Sequence, residues 1–178
     1  MKILLVEDDK HLVFLMPAML KRQDPAISIH TVSRGDDAVK AVIREDWSVI
    51  LMDLRLPFMG GLEATKRIRE LSTVPIVAVT AYGDKKTRIE AQQAGVDELI
   101  EKPVIDHLRF YTRLRRIIKD KKRSTNSLAA PGLIEAHRAR LYLLQRRKAV
   151  QGINTDPAVD LEIESIEREI ERLQTNLS

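Results

Sequence analysis

The chain has 178 residues, of which 44% are hydrophobic, so it has room for one ordinary globular domain and a small appendage. It contains no cysteine, which excludes disulfides, thiolate metal sites and cysteine nucleophiles. Its net charge is +4, but the charges are too unevenly placed for that number to identify a partner. No apolar run approaches the ~20 residues that span a bilayer, so we expect a soluble cytoplasmic protein without a membrane partner.

Short apolar runs alternate with helical patterns five times from the N-terminus onward. The predicted strands are residues 3–6, 27–32, 49–52, 76–80 and 98–100, and the predicted helices are residues 11–22, 36–44, 62–71, 85–94 and 104–119. Strand-then-helix repeats require crossover connections, and apolar runs without alternation are typical of strands buried on both faces. The sequence therefore predicts an α/β domain over residues 1–120, with a doubly wound, five-stranded parallel sheet.

The rest of the chain predicts two helices behind a linker. Residues 121–132 are charged, then small and polar, and then broken by Pro131 and Gly132, which is typical of a linker. Residues 133–178 predict an all-α helical hairpin with helices over 133–151 and 157–177. The second helix has a coiled-coil-like seam with spacings of four and three, formed by Val159, Ile163, Ile166, Ile170, Leu173 and Leu177. Because the first helix is basic and the second acidic, we expect them to pair antiparallel with matching charges.

Polar and charged residues follow four of the five predicted strands. They are Glu7, Asp8 and Asp9 after the first strand, Asp53 after the third, Thr80 and Ala81 at the end of the fourth, and Lys102 and Pro103 after the fifth. Ligands of an open parallel sheet bind at the carboxyl ends of its strands, so we expect these residues to meet.

This set of residue types favours phosphoryl chemistry. Converging carboxylates repel one another unless a cation joins them, and hard oxygen ligands with open positions suit Mg²⁺. An aspartate beside such an ion can attack phosphorus to form an acyl phosphate, while a lysine and a threonine hold the phosphoryl oxygens. The alternative for each acid is that it only caps a helix or faces water.

Four ordered motifs around these residues resemble the receiver domains of bacterial two-component response regulators. The motifs are ILLVEDD at residues 3–9, MDLRLPFMGGLE at 52–63, TAYGD at 80–84 and EKP at 101–103. The resemblance covers residues 1 to about 119 and implies a CheY-like fold with strand order 2-1-3-4-5.

The resemblance also implies a role for each site residue. Asp53 would be the phosphoacceptor, and Mg²⁺ would be held by Glu7, Asp8, Asp53 and the backbone carbonyl of Arg55. Thr80 would be the hydroxyl switch with Ala81 beside it, and Lys102 would contact the phosphoryl group. The bond between Lys102 and Pro103 is a candidate cis peptide.

Two positions depart from the family pattern. Gly60 stands where the family usually has aspartate, and the freedom of glycine predicts a looser loop after Asp53. Leu99 stands where many receivers carry the Tyr or Phe that turns inward when the threonine moves. Tyr82 is an alternative aromatic for that role, although it also fits an ordinary loop residue.

The predicted function is a two-component response regulator rather than an enzyme acting on an external substrate. Its phosphoryl donor would be a sensor histidine kinase, a phosphotransfer protein or a small phosphodonor, and the chain would catalyse only its own phosphorylation and dephosphorylation. We expect the hairpin to convert phosphorylation into protein–protein contact, as a homodimer or with a helical partner. A merely stabilising appendage is the alternative.

The rival function is nucleic-acid binding through the basic segment between Arg109 and Arg123. The same cations also fit a solvated helix end, which the helix dipole favours. The tail has two predicted helices, the second acidic, and shows no helix-turn-helix pattern, so the sequence disfavours a specific DNA-binding output.

Overall fold

The parallel sheet is formed by five short strands, each followed by a helix. A computed structural model describes residues 1–126, 130–151 and 157–175, and these contain the following elements. The strands are β1 (Lys2–Val6), β2 (Ser28–Val32), β3 (Val49–Met52), β4 (Ile76–Thr80) and β5 (Glu98–Glu101). The helices are α1 (Lys10–Gln23), α2 (Gly35–Arg44), α3 (Gly61–Arg69), α4 (Lys85–Ala94), α5 (His107–Asn126), α6 (Ala130–Gln151) and α7 (Pro157–Thr175). Among these described helices, none is long and apolar enough to cross a membrane.

All strand pairs are parallel and their order is β2-β1-β3-β4-β5, which confirms the predicted fold class. The central strands are apolar without alternation because helices cover both of their faces. Ile3 and Leu51 pack on one face with Leu114 of α5, whereas Leu4 and Ile50 pack on the other face within a second buried cluster. Side chains of successive residues point to opposite faces of a strand, so one apolar run supplies both cores.

The strand order reverses between β1 and β3, and this point positions the acidic residues. The chain passes from β1 outward to β2 and then returns to the other side of β1 as β3. Val6 is in register with Met52, and the backbone N–H of Asp53 donates to the carbonyl of Val6 at 2.9 Å. Glu7 and Asp53 therefore leave adjacent strands side by side, at the crevice where open α/β sheets bind ligands.

Helix α5 is longer than predicted. It continues to Asn126 and α6 begins at Ala130, so helix occupies most of the segment predicted to be a linker. Lysine and arginine are good helix formers, and Lys121 also reaches Asp97 at 2.7 Å across the end of the sheet. Residues 127–129 of the predicted linker, the predicted turn over 152–156 and residues 176–178 lie outside the described residues.

Helices α6 and α7 pack against each other through the predicted seam. Ile134 and Leu144 of α6 form a buried cluster with Val159, Ile166 and Ile170 of α7. Two ion pairs flank the cluster, Lys148–Asp160 at 2.7 Å and Arg140–Glu162 at 2.9 Å. Lys148 lies nearer the end of α6 than Arg140, and its partner Asp160 lies nearer the start of α7 than Glu162. The two helices therefore run antiparallel.

A buried arginine fastens this hairpin to the sheet-containing part of the chain. Arg147 of α6 is 4% exposed, and its guanidinium donates to the backbone carbonyl of Ile43 at 2.6 Å and to Asp46 at 2.8 Å. The neighbouring Arg146 reaches Glu70 at 2.8 Å, but both of these side chains are about half exposed. The expected charge matching within the hairpin is thus only partly correct, because some of its cations pair with the α2 and α3 ends.

Replacing Arg147 by alanine is expected to lower the free energy of unfolding by roughly 1–3 kcal/mol, because the Ile43 carbonyl loses its buried donor. The matched control is Arg146→Ala, which removes an exposed ion pair and should cost less than about 1 kcal/mol. Denaturant unfolding of both variants provides the measurement. Equal losses for the two arginines would contradict the assignment of Arg147 as the anchor of α6.

Candidate phosphoacceptor site

Three carboxylates meet at the carboxyl ends of β1 and β3. Glu7, Asp8 and Asp53 each offer one oxygen atom, and these atoms lie within 4.8 Å of one another. Glu7 is 2% exposed, whereas Asp8 faces solvent. Asp9 does not join them but caps α1, accepting from the backbone N–H of His11 at 2.8 Å. The helix-cap alternative therefore holds for Asp9, while the other three acids converge.

Lys102 lies between two of these carboxylates. Its Nζ donates to Glu7 Oε2 at 2.6 Å and to Asp53 Oδ2 at 2.7 Å. Residues 7 and 102 are far apart in sequence, and the parallel sheet brings them together by aligning the ends of β1 and β5 at one edge. The ammonium group offsets part of the repulsion between Glu7 and Asp53.

Burial and neighbouring charges shift the pKa values of Glu7 and Lys102. Burial raises the pKa of Glu7, and the nearby Asp53 adds to this, against the lowering effect of Lys102. Burial alone would lower the pKa of Lys102, but its hydrogen bonds to Asp53 and Glu7 outweigh that effect and raise the pKa. The charged form of Lys102 is therefore favoured, whereas the charged form of Glu7 is disfavoured, and a second cation nearby would reduce that cost.

The other predicted site residues lie around this centre at different depths. Thr80 is fully buried, and its Oγ1 accepts from the backbone N–H of Tyr82 at 3.3 Å. The backbone N–H of Arg55 donates to Asp53 Oδ1 at 3.1 Å. Ala81 is exposed at the end of β4, and the peptide bond from Lys102 to Pro103 is cis.

Leu99 lies on β5 beside an apolar cluster. It is half-buried and packs against a cluster containing Leu54, Ala78 and Ala91. Tyr82, the alternative aromatic residue, is 44% exposed, and the guanidinium of Arg55 stacks 3.5 Å from its ring centroid. This stack joins the loop after Asp53 to the loop after Thr80.

The loop after Asp53 depends on Gly61 rather than on Gly60. A Cβ atom at Gly61 would lie 2.0 Å from the backbone oxygen of Asp53, so only glycine allows α3 to start this close to the acceptor strand. Gly60 has an ordinary φ of −65° and room for a Cβ atom. The residue with a left-handed conformation is Phe58, at φ 65°, stacked on Arg34. The sequence shows the glycine pair but does not show which glycine is needed for close approach.

Comparison with known protein families identifies the domain that carries this site. Residues 3–115 match the response regulator receiver domain family. The chain belongs to this family. Receiver domains are signalling phosphoacceptor domains of two-component systems rather than classical enzymes, and their fold is the CheY-like fold described above.

Relatives of this receiver domain include both regulators and a kinase. The transcriptional regulatory protein SrrA of Staphylococcus aureus is 33% identical over 102 residues, which are 57% of this chain and 42% of SrrA. The chain thus spans about two fifths of the length of that relative.

Solved structures extend the comparison. The receiver domain of the sensor histidine kinase PA1611 from Pseudomonas aeruginosa, with a magnesium ion coordinated in its active site cleft, is 34% identical and has a TM-score of 0.61, covering 66% of this chain and 97% of that one. The BeF3-activated N-terminal receiver domain of Klebsiella pneumoniae RstA is 28% identical, with a TM-score of 0.61 and coverage of 66% and 98%. Both similarities fall on the receiver fold.

Proposed function

We propose that this chain is a response regulator that accepts a phosphoryl group on Asp53 in a Mg²⁺-dependent reaction. The observation that carries the proposal is the convergence of three carboxylate oxygens within 4.8 Å, with Lys102 contacting the same aspartate. Asp53 is the candidate nucleophile because it follows the central strand β3 and accepts from both Lys102 and the backbone N–H of Arg55.

The donor set fits magnesium. All three side chains offer hard oxygen ligands, and the exposed Asp8 leaves one side open to the waters that Mg²⁺ retains. We infer that Glu7, Asp8 and Asp53 hold the ion together with the backbone carbonyl of Arg55. The similar PA1611 receiver domain has a magnesium ion coordinated in its active site cleft, which supports this inference. When bound, the ion offsets negative charge on both the nucleophile and the incoming phosphoryl group.

Each residue of the site has its own role in the proposed phosphoryl transfer. A carboxylate oxygen of Asp53 forms a bond to phosphorus while the bond from phosphorus to the donor's nitrogen or oxygen breaks, and the electron pair leaves with the donor. The Lys102 ammonium, which already contacts Asp53, is placed to bind a phosphoryl oxygen. Thr80 and the small Ala81 lie at the end of β4, where the hydroxyl can meet a second phosphoryl oxygen. Leu99, in register with Ala78 on the neighbouring strand, offers no aromatic ring to a moving threonine.

A docking surface for a donor protein lies beside Lys102. A groove of about 710 Å³ is lined by apolar residues of α1 and by the segment after β5, including Leu12, Leu15, Met16 and Val104. Of these lining residues, Leu15 is 56% exposed. Exposed apolar surface of this kind marks a protein-binding site, and we propose that a histidine kinase or phosphotransfer protein docks here. Leu15→Ala should then slow transfer from such a protein while leaving labelling by a small phosphodonor unchanged; equal slowing with both donors would contradict the docking role.

The test of the proposed function is labelling of the full chain with acetyl phosphate, followed by intact-mass measurement. We expect the mass of one added phosphoryl group in Mg²⁺ and none after chelation with EDTA. Absence of labelling in Mg²⁺, or labelling that survives EDTA, would overturn the proposal.

The hairpin supplies the proposed output, a change in protein–protein contact. It is attached at the α2 and α3 ends, on the edge of the sheet opposite the carboxylates, so it leaves the acceptor site open to a donor. The nucleic-acid rival is weakened by ion pairs within the basic segment, because Arg113 pairs with Glu98 and Lys121 with Asp97.

A further inference from the structure

Two exposed helix faces of opposite charge take no part in the proposed phosphoryl transfer. The first, the basic face, is on α5 and comprises Leu108, Arg109, Thr112 and Arg116. Leu108 is 62% exposed, and the other three residues are also exposed. Arg109, Thr112 and Arg116 line a shallow depression of about 480 Å³ together with Arg113.

The second, the acidic face, is on α7 and comprises Leu161, Glu164 and Glu167. Leu161 is 65% exposed, and both glutamates are exposed. Helix α7 is acidic as a whole, since two arginines oppose its acids Asp160, Glu162, Glu164, Glu167, Glu169 and Glu171. Of these arginines, Arg168 donates to the backbone carbonyl of Glu164, and Arg172 pairs with Glu169 at 2.7 Å. Arg168 is exposed about two turns after Leu161 and so lies on this face, where Glu164 and Glu167 together outweigh its charge and leave the face net negative around an exposed leucine.

The two faces match in chemistry. Each presents one exposed leucine beside like charges within about two helical turns, so a contact between them covers both leucines and places arginines opposite glutamates. Because both faces are exposed, α7 does not cover α5 of its own chain. Both faces occur on every copy, which allows two copies to make the contact twice around a two-fold axis.

We propose that α7 of one copy docks on α5 of a second copy, with Leu161 against Leu108 and the glutamates of the acidic face against Arg109 and Arg116. This deepens the proposed function, since it rests on a protein–protein output for the hairpin and identifies the partner as a second copy of this chain. The charge complementarity favours a second copy over nucleic acid, because the chain itself carries the acidic face that the basic face requires.

Two charge-reversed variants of the full chain test the proposal by sedimentation velocity at low salt. In one, Arg109→Glu and Arg116→Glu make both faces acidic; in the other, Glu164→Lys and Glu167→Lys make both faces basic. We expect the wild type to self-associate, more weakly as salt rises, and each variant alone to bind itself at least about tenfold more weakly. An equimolar mixture should regain association, because each acidic face then meets a basic one twice.

Controls separate this proposal from misfolding and from phosphoacceptance. Reversal of Lys85 and Lys86, exposed cations of α4, should leave self-association unchanged. All variants should retain the wild-type circular dichroism spectrum and Mg²⁺-dependent labelling, so a failure of labelling affects the proposed function and not the docking. A wild type that stays monomeric, a mixture that does not associate, or a basic face that binds DNA while no self-association occurs would each overturn the inference.

Discussion

Asp53→Asn is expected to abolish phosphoryl acceptance, the largest effect of any single substitution in this chain. The amide keeps the shape of the side chain, but its single oxygen can accept from only one of the two donors, the Arg55 backbone N–H 3.1 Å from Oδ1 or the Lys102 ammonium 2.7 Å from Oδ2. It is a far weaker nucleophile than a carboxylate, so the step that forms the acyl phosphate should fail while the fold persists.

The measurement is intact mass after incubation with acetyl phosphate and Mg²⁺. Asp37→Asn is the matched control, because it removes an exposed carboxylate that is paired with Lys40 on α2, outside the carboxylate cluster. The control should label like the wild type. Labelling of Asp53→Asn at the wild-type rate would place the acceptor on another residue.

Lys102→Ala is expected to impair both stability and labelling. Glu7 and Asp53 are 2% and 11% exposed in their side chains, so removing the ammonium leaves two buried carboxylates without their cation. Breaking such a pair costs roughly 3 kcal/mol of unfolding free energy. Losing the donor to the phosphoryl oxygens should slow labelling by about a hundredfold, as for other donors that stabilise developing charge.

Mg²⁺ and a second substitution provide the controls for Lys102→Ala. If the two carboxylates share a metal site, millimolar Mg²⁺ should restore part of the lost stability, and so should Glu7→Gln in the same chain. Denaturant unfolding with and without the ion measures both effects. Two results would contradict the shared site: a Lys102→Ala variant that unfolds with the same free energy as the wild type, or one whose unfolding free energy changes neither with Mg²⁺ nor with Glu7→Gln.

The pH dependence of this contribution follows from the raised pKa of Lys102. A cation whose pKa is higher in the folded state stabilises fully below its ordinary pKa of 10.5, and the contribution is lost as pH rises through the higher folded-state value. The difference between the wild type and Lys102→Ala should therefore shrink in strong alkali, where Lys102 loses its proton. It should also shrink in acid, where protonation of Glu7, whose pKa is raised, removes a charge that Lys102 stabilises.

The sheet could be predicted from sequence because its central strands leave little ambiguity. Residues 49–52 are all apolar and, in the structure, all buried, which is typical of a strand covered on both faces, and parallel pairing then brings the strand ends together. For the same reason the sequence predicted that Glu7, Asp53 and Lys102 meet, since each directly follows a strand.

The tail was harder to predict because the deciding contacts are tertiary. Residues 121–126 have the charged composition of a linker, yet they continue α5 as helix. Arg147 looked like any other cation of α6, and no periodicity distinguishes it from Arg146, although one is buried against Ile43 and the other is exposed. Gly61 was missed because the 2.0 Å approach to Asp53 exists only in three dimensions.

The most direct test of the metal site is a crystal structure of the full chain grown with Mg²⁺ and beryllofluoride. We predict one ion among Glu7, Asp8, Asp53 and the backbone carbonyl of Arg55, with the directly bound oxygens at about 2.1 Å. We also predict that beryllofluoride is bonded to an Asp53 oxygen, with Lys102 contacting one of its fluorine atoms. A magnesium ion bound elsewhere, or an adduct on another carboxylate, would contradict the site.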